Sequence, residues 1–168
     1  MGYLLVEGGA EFSGSMRDPD LRAIQLAGGF DVPLRIIPTA AAPDNNHRRA
    51  GSNGVRWFRG LGAGDVISLP LIDKSSANDE EIAMSLRSAK LIYLLGGFPA
   101  HLGNSLAGSL SWGAILEAYR SGAVVGGSSA GAMVLKRFMQ QLKWVSPATL
   151  IGGGKVEEIC ATVRQMKP

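Results

Sequence analysis

Five short, mostly apolar runs punctuate the chain: Tyr3–Val6, Leu34–Pro38, Val66–Leu71, Leu91–Leu95 and Ala123–Val125. Each is bounded by Gly, Pro or Asp, and none alternates with polar residues, as strands buried on both faces of a parallel sheet would not. Between them, apolar positions recur at helical spacing. Pro19–Ala27 carries Leu21, Ile24 and Leu26 and stops at Gly28-Gly29. His47–Leu61 turns Val55, Trp57, Phe58 and Leu61 towards one side, and Asp79–Ala89, with Asn78 as its expected N-cap, spaces Ile82, Leu86 and Ala89 one turn apart. Two further helices are expected over 100–109 and 112–120, broken around Ser109–Ser111, and Thr39–Ala50, rich in Ala, Pro and Asn, reads as a loop on the rim of a site.

This strand–helix alternation predicts one α/β domain over residues 1–168, a three-layer fold around a doubly wound, mostly parallel sheet with right-handed crossovers. Such sheets bind ligands outside the carboxyl ends of their strands. Three glycine pairs fall at such ends, Gly8-Gly9, Gly96-Gly97 and Gly126-Gly127, and are expected to converge on one crevice.

The third corner carries chemistry. Gly127-Ser128-Ser129-Ala130-Gly131 follows an apolar strand and opens a stretch of small residues, Ala130-Gly131-Ala132, that can start a helix. A nucleophile elbow has this pattern: the central serine sits on a strained turn with its hydroxyl exposed, and glycines flank it because Cβ atoms there would clash. The new helix also points its first amides at whatever the serine attacks. Ser129 is therefore the candidate nucleophile, with an expected positive φ. The alternative is a turn whose amides cradle a phosphate at a helix N-terminus. No Gly-x-Gly-x-x-Gly follows the first strand and no Gly-Lys-Ser/Thr closes a phosphate loop, which argues against a nucleotide-binding module.

Composition narrows the picture. The 23 glycines in 168 residues are nearly twice the usual share of about 7% and gather where strands end. A net charge of +3 is mild, and Arg48, Arg49, Arg56 and Arg59 on one expected helix have no interleaved aromatic pattern, so a solvated face rather than a nucleic-acid partner is expected. One cysteine, Cys160, excludes an internal disulfide and fits the cytoplasm. The apolar start Tyr3-Leu4-Leu5-Val6 is too short for a signal peptide, and no run approaches the roughly 18 residues of a membrane span. Neither metal nor organic cofactor is expected, since zinc-ligand spacings are absent. A homodimer is left open.

Three segments together resemble a known family. Val6-Glu7-Gly8-Gly9, Leu91-Ile92-Tyr93-Leu94-Leu95-Gly96-Gly97 and Gly126-Gly127-Ser128-Ser129-Ala130-Gly131-Ala132 occur in the order and spacing of the cyanophycinase and aspartyl dipeptidase (dipeptidase E) serine peptidases. These have a class I glutamine amidotransferase-like fold. The resemblance covers about residues 3–135. It implies hydrolysis of a peptide or a small-molecule amide through an acyl-enzyme on Ser129, with the backbone N–H groups of Gly97 and Ala130 as the oxyanion hole. Glu7, at the end of the first strand, is a candidate to orient a substrate amine, and Phe98 a candidate substrate contact.

Two departures stand out. Where the family often has a polar pair after the fourth-strand glycines, this chain has Phe98-Pro99, an apolar, stiff lip that argues against a pocket for acidic side chains. The family's base histidine lies downstream of the serine, yet no histidine follows His101. Three explanations are open. Segments are missing between Leu135 and Pro147, and again between Gly152 and Val156, where Pro147–Gly152 resembles a late strand arriving early. Alternatively, the chain is a remnant that binds peptides or small molecules without cleaving them, or His101 serves as the base. His47 reads as a surface residue, and nothing selects Glu157 or Glu158 as an acidic partner.

Overall fold

A computed structural model describes residues 2–141 and 150–152. Six strands, β1 (Tyr3–Glu7), β2 (Leu34–Ile37), β3 (Val66–Ser68), β4 (Leu91–Leu94), β5 (Val124–Ser128) and β6 (Leu150–Gly152), form one sheet in the order β3-β2-β4-β5-β1-β6. Every pairing is parallel, which requires a crossover between successive strands. The crossovers carry α1 (Arg17–Ala27), α2 (His47–Gly60), α3 (Glu80–Ser88), α4 (Pro99–Leu106) and α5 (Leu110–Arg120), and α6 (Ala130–Gln141) follows β5.

The central strands are largely apolar because both faces are covered. Along β4, Leu91, Tyr93 and Leu95 join one core with Ile24 of α1 and Phe58 of α2. Ile92 and Leu94 point the other way into a second core with Leu86, Leu102, Ile115 and Val134 of α3 to α6. The period-2 alternation of a strand thus sends neighbouring residues into two separate cores. This is the three-layer α/β architecture with a parallel sheet.

The structure departs from the sequence reading at several boundaries. Asp79, not Asn78, caps α3: its carboxylate accepts the Ile82 N–H at 3.0 Å, while Asn78 Oδ1 takes the Leu110 N–H at 3.2 Å. The helix expected over 100–109 starts at Pro99, which suits a first turn needing no N–H, and ends at Leu106. Thr39–Ala50 is not one rim loop. Thr39–Ala41 is a buried 3-10 turn, with Thr39 Oγ1 donating to the Leu71 carbonyl at 2.7 Å, and α2 begins at His47. The helix α6 spans Ala130–Gln141, across the start of the stretch after Leu135 where the missing segments are expected. The rest of that stretch, the gap expected between Gly152 and Val156, and Glu157, Glu158 and Cys160 lie outside the described residues. Leu150–Gly152 forms the strand beside β1.

Candidate active site

Ser129 stands alone between the last residue of β5 and the first of α6, with a φ of 46° and an exposed side chain. A non-glycine residue in the left-handed region is strained by about 1 kcal/mol or more, so something must hold it there. Its N–H donates to the Glu7 carbonyl at 2.9 Å and its carbonyl accepts the Met133 N–H at 3.0 Å. The flanking glycines are steric necessities. A Cβ on Gly131 would lie 2.2 Å from the Leu94 carbonyl oxygen, and one on Gly127 would lie 2.7 Å from the Gly131 backbone. The turn is pressed against β4 with no room for side chains.

The register Leu94↔Gly127 sets the carboxyl end of β4 beside that of β5. The Gly96-Gly97 corner consequently lies against the serine, and a Cβ on Gly96 would be 3.3 Å from Ser129 Cβ. Gly97 has a φ of 138° and a Cβ there would meet the Ala40 carbonyl oxygen at 2.2 Å, so only glycine fits. Among the described residues, neither the Gly97 nor the Ala130 N–H donates a hydrogen bond. Phe98 follows as an exposed aromatic whose N–H donates to Ala40 at 2.8 Å, with Pro99 opening α4 behind it.

Glu7 corrects the sequence reading. It does not face the crevice where it would orient a substrate amine: its side chain is fully buried beneath α1, because β1 residue 7 shares the parity of Leu5 and faces the α1–α2 core. The Tyr93 hydroxyl donates to Glu7 Oε2. Asp20 of α1, equally buried, accepts the Trp57 Nε1–H at 2.7 Å. Glu7 Oε1 and Asp20 Oδ1 are buried without a hydrogen-bond partner among the described residues. Burial first, and then Asp20's charge, raises the Glu7 carboxyl well above the ordinary range, and burial likewise raises Asp20. Burial and the charge on Glu7 raise the Tyr93 phenol further. The pair holds a proton that two exposed carboxylates would have released.

Glu11 is the residue the sequence reading missed. It projects from the loop after β1, and its Oε1 accepts both the Gly96 N–H, at 3.0 Å, and the Ser128 hydroxyl. With Phe12, Asn53, Arg56 and Trp57 it lines an open groove of about 490 Å³. Arg48, Arg49, Arg56 and Arg59 are all exposed on α2. Of the histidines, His101 Nε2 bonds the Ile72 carbonyl at 2.8 Å, and His47 is half-buried at the start of α2 with an unpartnered Nδ1. Among the described residues neither bonds Ser129. No cluster of three or more His, Cys, Asp or Glu forms there to hold a metal, and no helix there is long and apolar enough to cross a membrane.

Known proteins resemble this chain in sequence and fold. The chain is 30% identical over 137 residues to a cyanophycinase of Geminocystis herdmanii, an overlap covering 81% of this chain and 49% of that protein. A cyanophycinase of Synechococcus elongatus is 29% identical over 82% of this chain and 42% of its own length. The chain thus spans about half the length of the curated relatives it matches. A crystal structure of a peptidase from an acI-B1 Actinobacterium superposes with a TM-score of 0.73 at 31% identity, covering 80% of this chain and 57% of that one. A putative peptidase E protein of Listeria monocytogenes shares the fold at a TM-score of 0.57 and 22% identity, over 84% of this chain and 67% of its own. The profile of Peptidase family S51 matches residues 4–149, and with its parallel sheet and the strand–turn–helix at Ser129 the chain belongs to that family.

Proposed function

We propose that the protein is a serine-type peptidase or amide hydrolase that works through an acyl-enzyme on Ser129. The observation that carries this reading is the strained, exposed Ser129 with two unengaged amides, Gly97 and Ala130, on adjoining corners. A tetrahedral intermediate develops negative charge on the former carbonyl oxygen, and fixed N–H donors stabilise that charge without reorganising. The Ala130 N–H is the first of a helix, where the dipole adds to the effect. As a base takes its proton, the Ser129 oxygen attacks the amide carbon; the C–N bond then breaks as that proton passes to the leaving amine, and water hydrolyses the ester to the acid and restores the serine hydroxyl. Phe98 and Pro99 form an apolar lip, which suits a peptide or isopeptide-like amide with an uncharged group beside the scissile bond.

A serine attacks only when a base takes its proton. The sequence carries no histidine beyond His101, and the His101 ring is engaged with Ile72. The engagement of His101 with Ile72, away from Ser129, favours a second reading, a peptide- or small-molecule-binding protein on the same fold that does not turn substrate over. Incubation with a mixed dipeptide and isopeptide library, read by mass spectrometry, separates the two. Cleavage lost in Ser129→Ala supports hydrolysis, and binding without cleavage in both proteins supports the second reading.

A further inference from the structure

We infer that Glu11 is a positioning residue that locks the serine turn to the glycine corner. The inference rests on the proposed role of Ser129. One carboxylate oxygen joins three strand ends: Glu11 follows β1, and its Oε1 accepts the Gly96 N–H from the end of β4 and the Ser128 hydroxyl from the end of β5. Its two donors immediately precede Gly97 and Ser129, the oxyanion amide and the nucleophile of the proposed site. Ser128 is fully buried, so its hydroxyl has no water to turn to.

The loop that presents Glu11 is itself held under strain. Ala10 and Phe12, on either side, have φ values of 57° and 58°, a conformation that residues other than glycine adopt at a cost. Phe12 offsets that cost by packing its ring against Trp57, Phe58 and Tyr93 at centroid distances of 6.3, 6.2 and 5.8 Å. The aromatic ring anchors the loop to α2 and the sheet, and the strained backbone turns Glu11 towards the two corners. Displacing a reacting group by about 1 Å can cost on the order of a hundredfold in rate, so a clamp between nucleophile and oxyanion donor acts on the rate rather than on affinity.

The test labels the full protein with a fluorophosphonate, using Ser129→Ala as the blank. It measures the saturating rate, the half-saturating concentration and the final labelled fraction for wild type, E11A and E11Q. Glutamine keeps an acceptor oxygen for both donors, and alanine keeps none. E11A is expected to lower the saturating rate at least tenfold, with half-saturation within about twofold and the labelled fraction unchanged, while E11Q loses only about threefold. A residue that merely supported the fold would lower the labelled fraction instead. An E11A rate within about twofold of wild type, or an E11Q rate as low as that of E11A, overturns the inference. Should E11A not fold, Ser128→Ala removes one of the two donors, and a saturating rate equal to wild type overturns it. Wild type that does not label at Ser129 sinks the nucleophile reading, and the clamp is then read from amide exchange. Gly96 N–H exchange at least about tenfold faster in E11A supports the clamp, and equal exchange overturns it.

Discussion

Replacing Glu7 by glutamine removes an ionisation that the fold resists while keeping its hydrogen-bond geometry. Glu7 is fully buried between the Tyr93 hydroxyl and Asp20, and its carboxyl is raised from 4.5 to about 8, by burial first and by Asp20 next. Asp20, raised to about 6, titrates in the same pair. A carboxyl raised in the folded state binds a proton there that the unfolded chain has already released. Stability is therefore complete below the unfolded value near 4.5 and declines as the pH rises towards 8. One such proton gives a slope approaching 1.4 kcal/mol per pH unit, or about 2 to 3 kcal/mol lost between pH 5.5 and 7.5. In Glu7→Gln the amide NH2 can donate to Asp20 while the amide oxygen accepts from Tyr93, and nothing at position 7 titrates. Urea unfolding of wild type and variant at half-unit steps from pH 5 to 8.5 measures the effect. The two proteins should be close to equal at pH 5, and the variant should be more stable by at least about 2 to 3 kcal/mol at pH 8. Wild-type stability that stays flat or rises over this window, or a variant no more stable at pH 8, would show that the pair does not hold its proton.

Three further changes probe separate parts of the molecule. Gly97→Ala puts a Cβ 2.2 Å from the Ala40 carbonyl at a φ of 138°, and should cost about 2 to 4 kcal/mol in urea unfolding and lower any hydrolytic rate by at least about tenfold. Asp79→Ala removes the cap that accepts the Ile82 N–H and should cost about 1 kcal/mol, seen as a fall of roughly 2 to 4 °C in thermal midpoint, with labelling of Ser129 unchanged. Ser129→Ala relieves no packing and should unfold within about 0.5 kcal/mol of wild type, because the side chain is exposed.

The buried strands and the serine turn were legible in the sequence because each is local. A short apolar run bounded by turn residues suits a strand covered on both faces, and glycines two residues either side of a serine mark a turn without space. The capping of α3 by Asp79 rather than Asn78 turned on a single residue, at a boundary where either side chain can accept an N–H. Glu11 was beyond reach: its partners lie 85 and 117 residues away, and only the adjacency of β1, β4 and β5 brings them to one oxygen. Glu7 was placed at the crevice because a charged residue at a strand end usually reaches the ligand side, and only the buried face it shares with Leu5 says otherwise. Asp20 did leave a signal. It falls four residues before Ile24 and seven before Ala27, on the buried stripe of α1, where a carboxylate needs a partner such as Trp57.

The account stands or falls on Ser129, and the most direct measurement is peptide mapping by mass spectrometry after treating the full protein with a fluorophosphonate. One adduct per chain is predicted, carried by the peptide that contains Ser129 and absent from Ser129→Ala. A protein that takes no adduct, or one whose adduct persists in Ser129→Ala, would contradict a nucleophile at this turn.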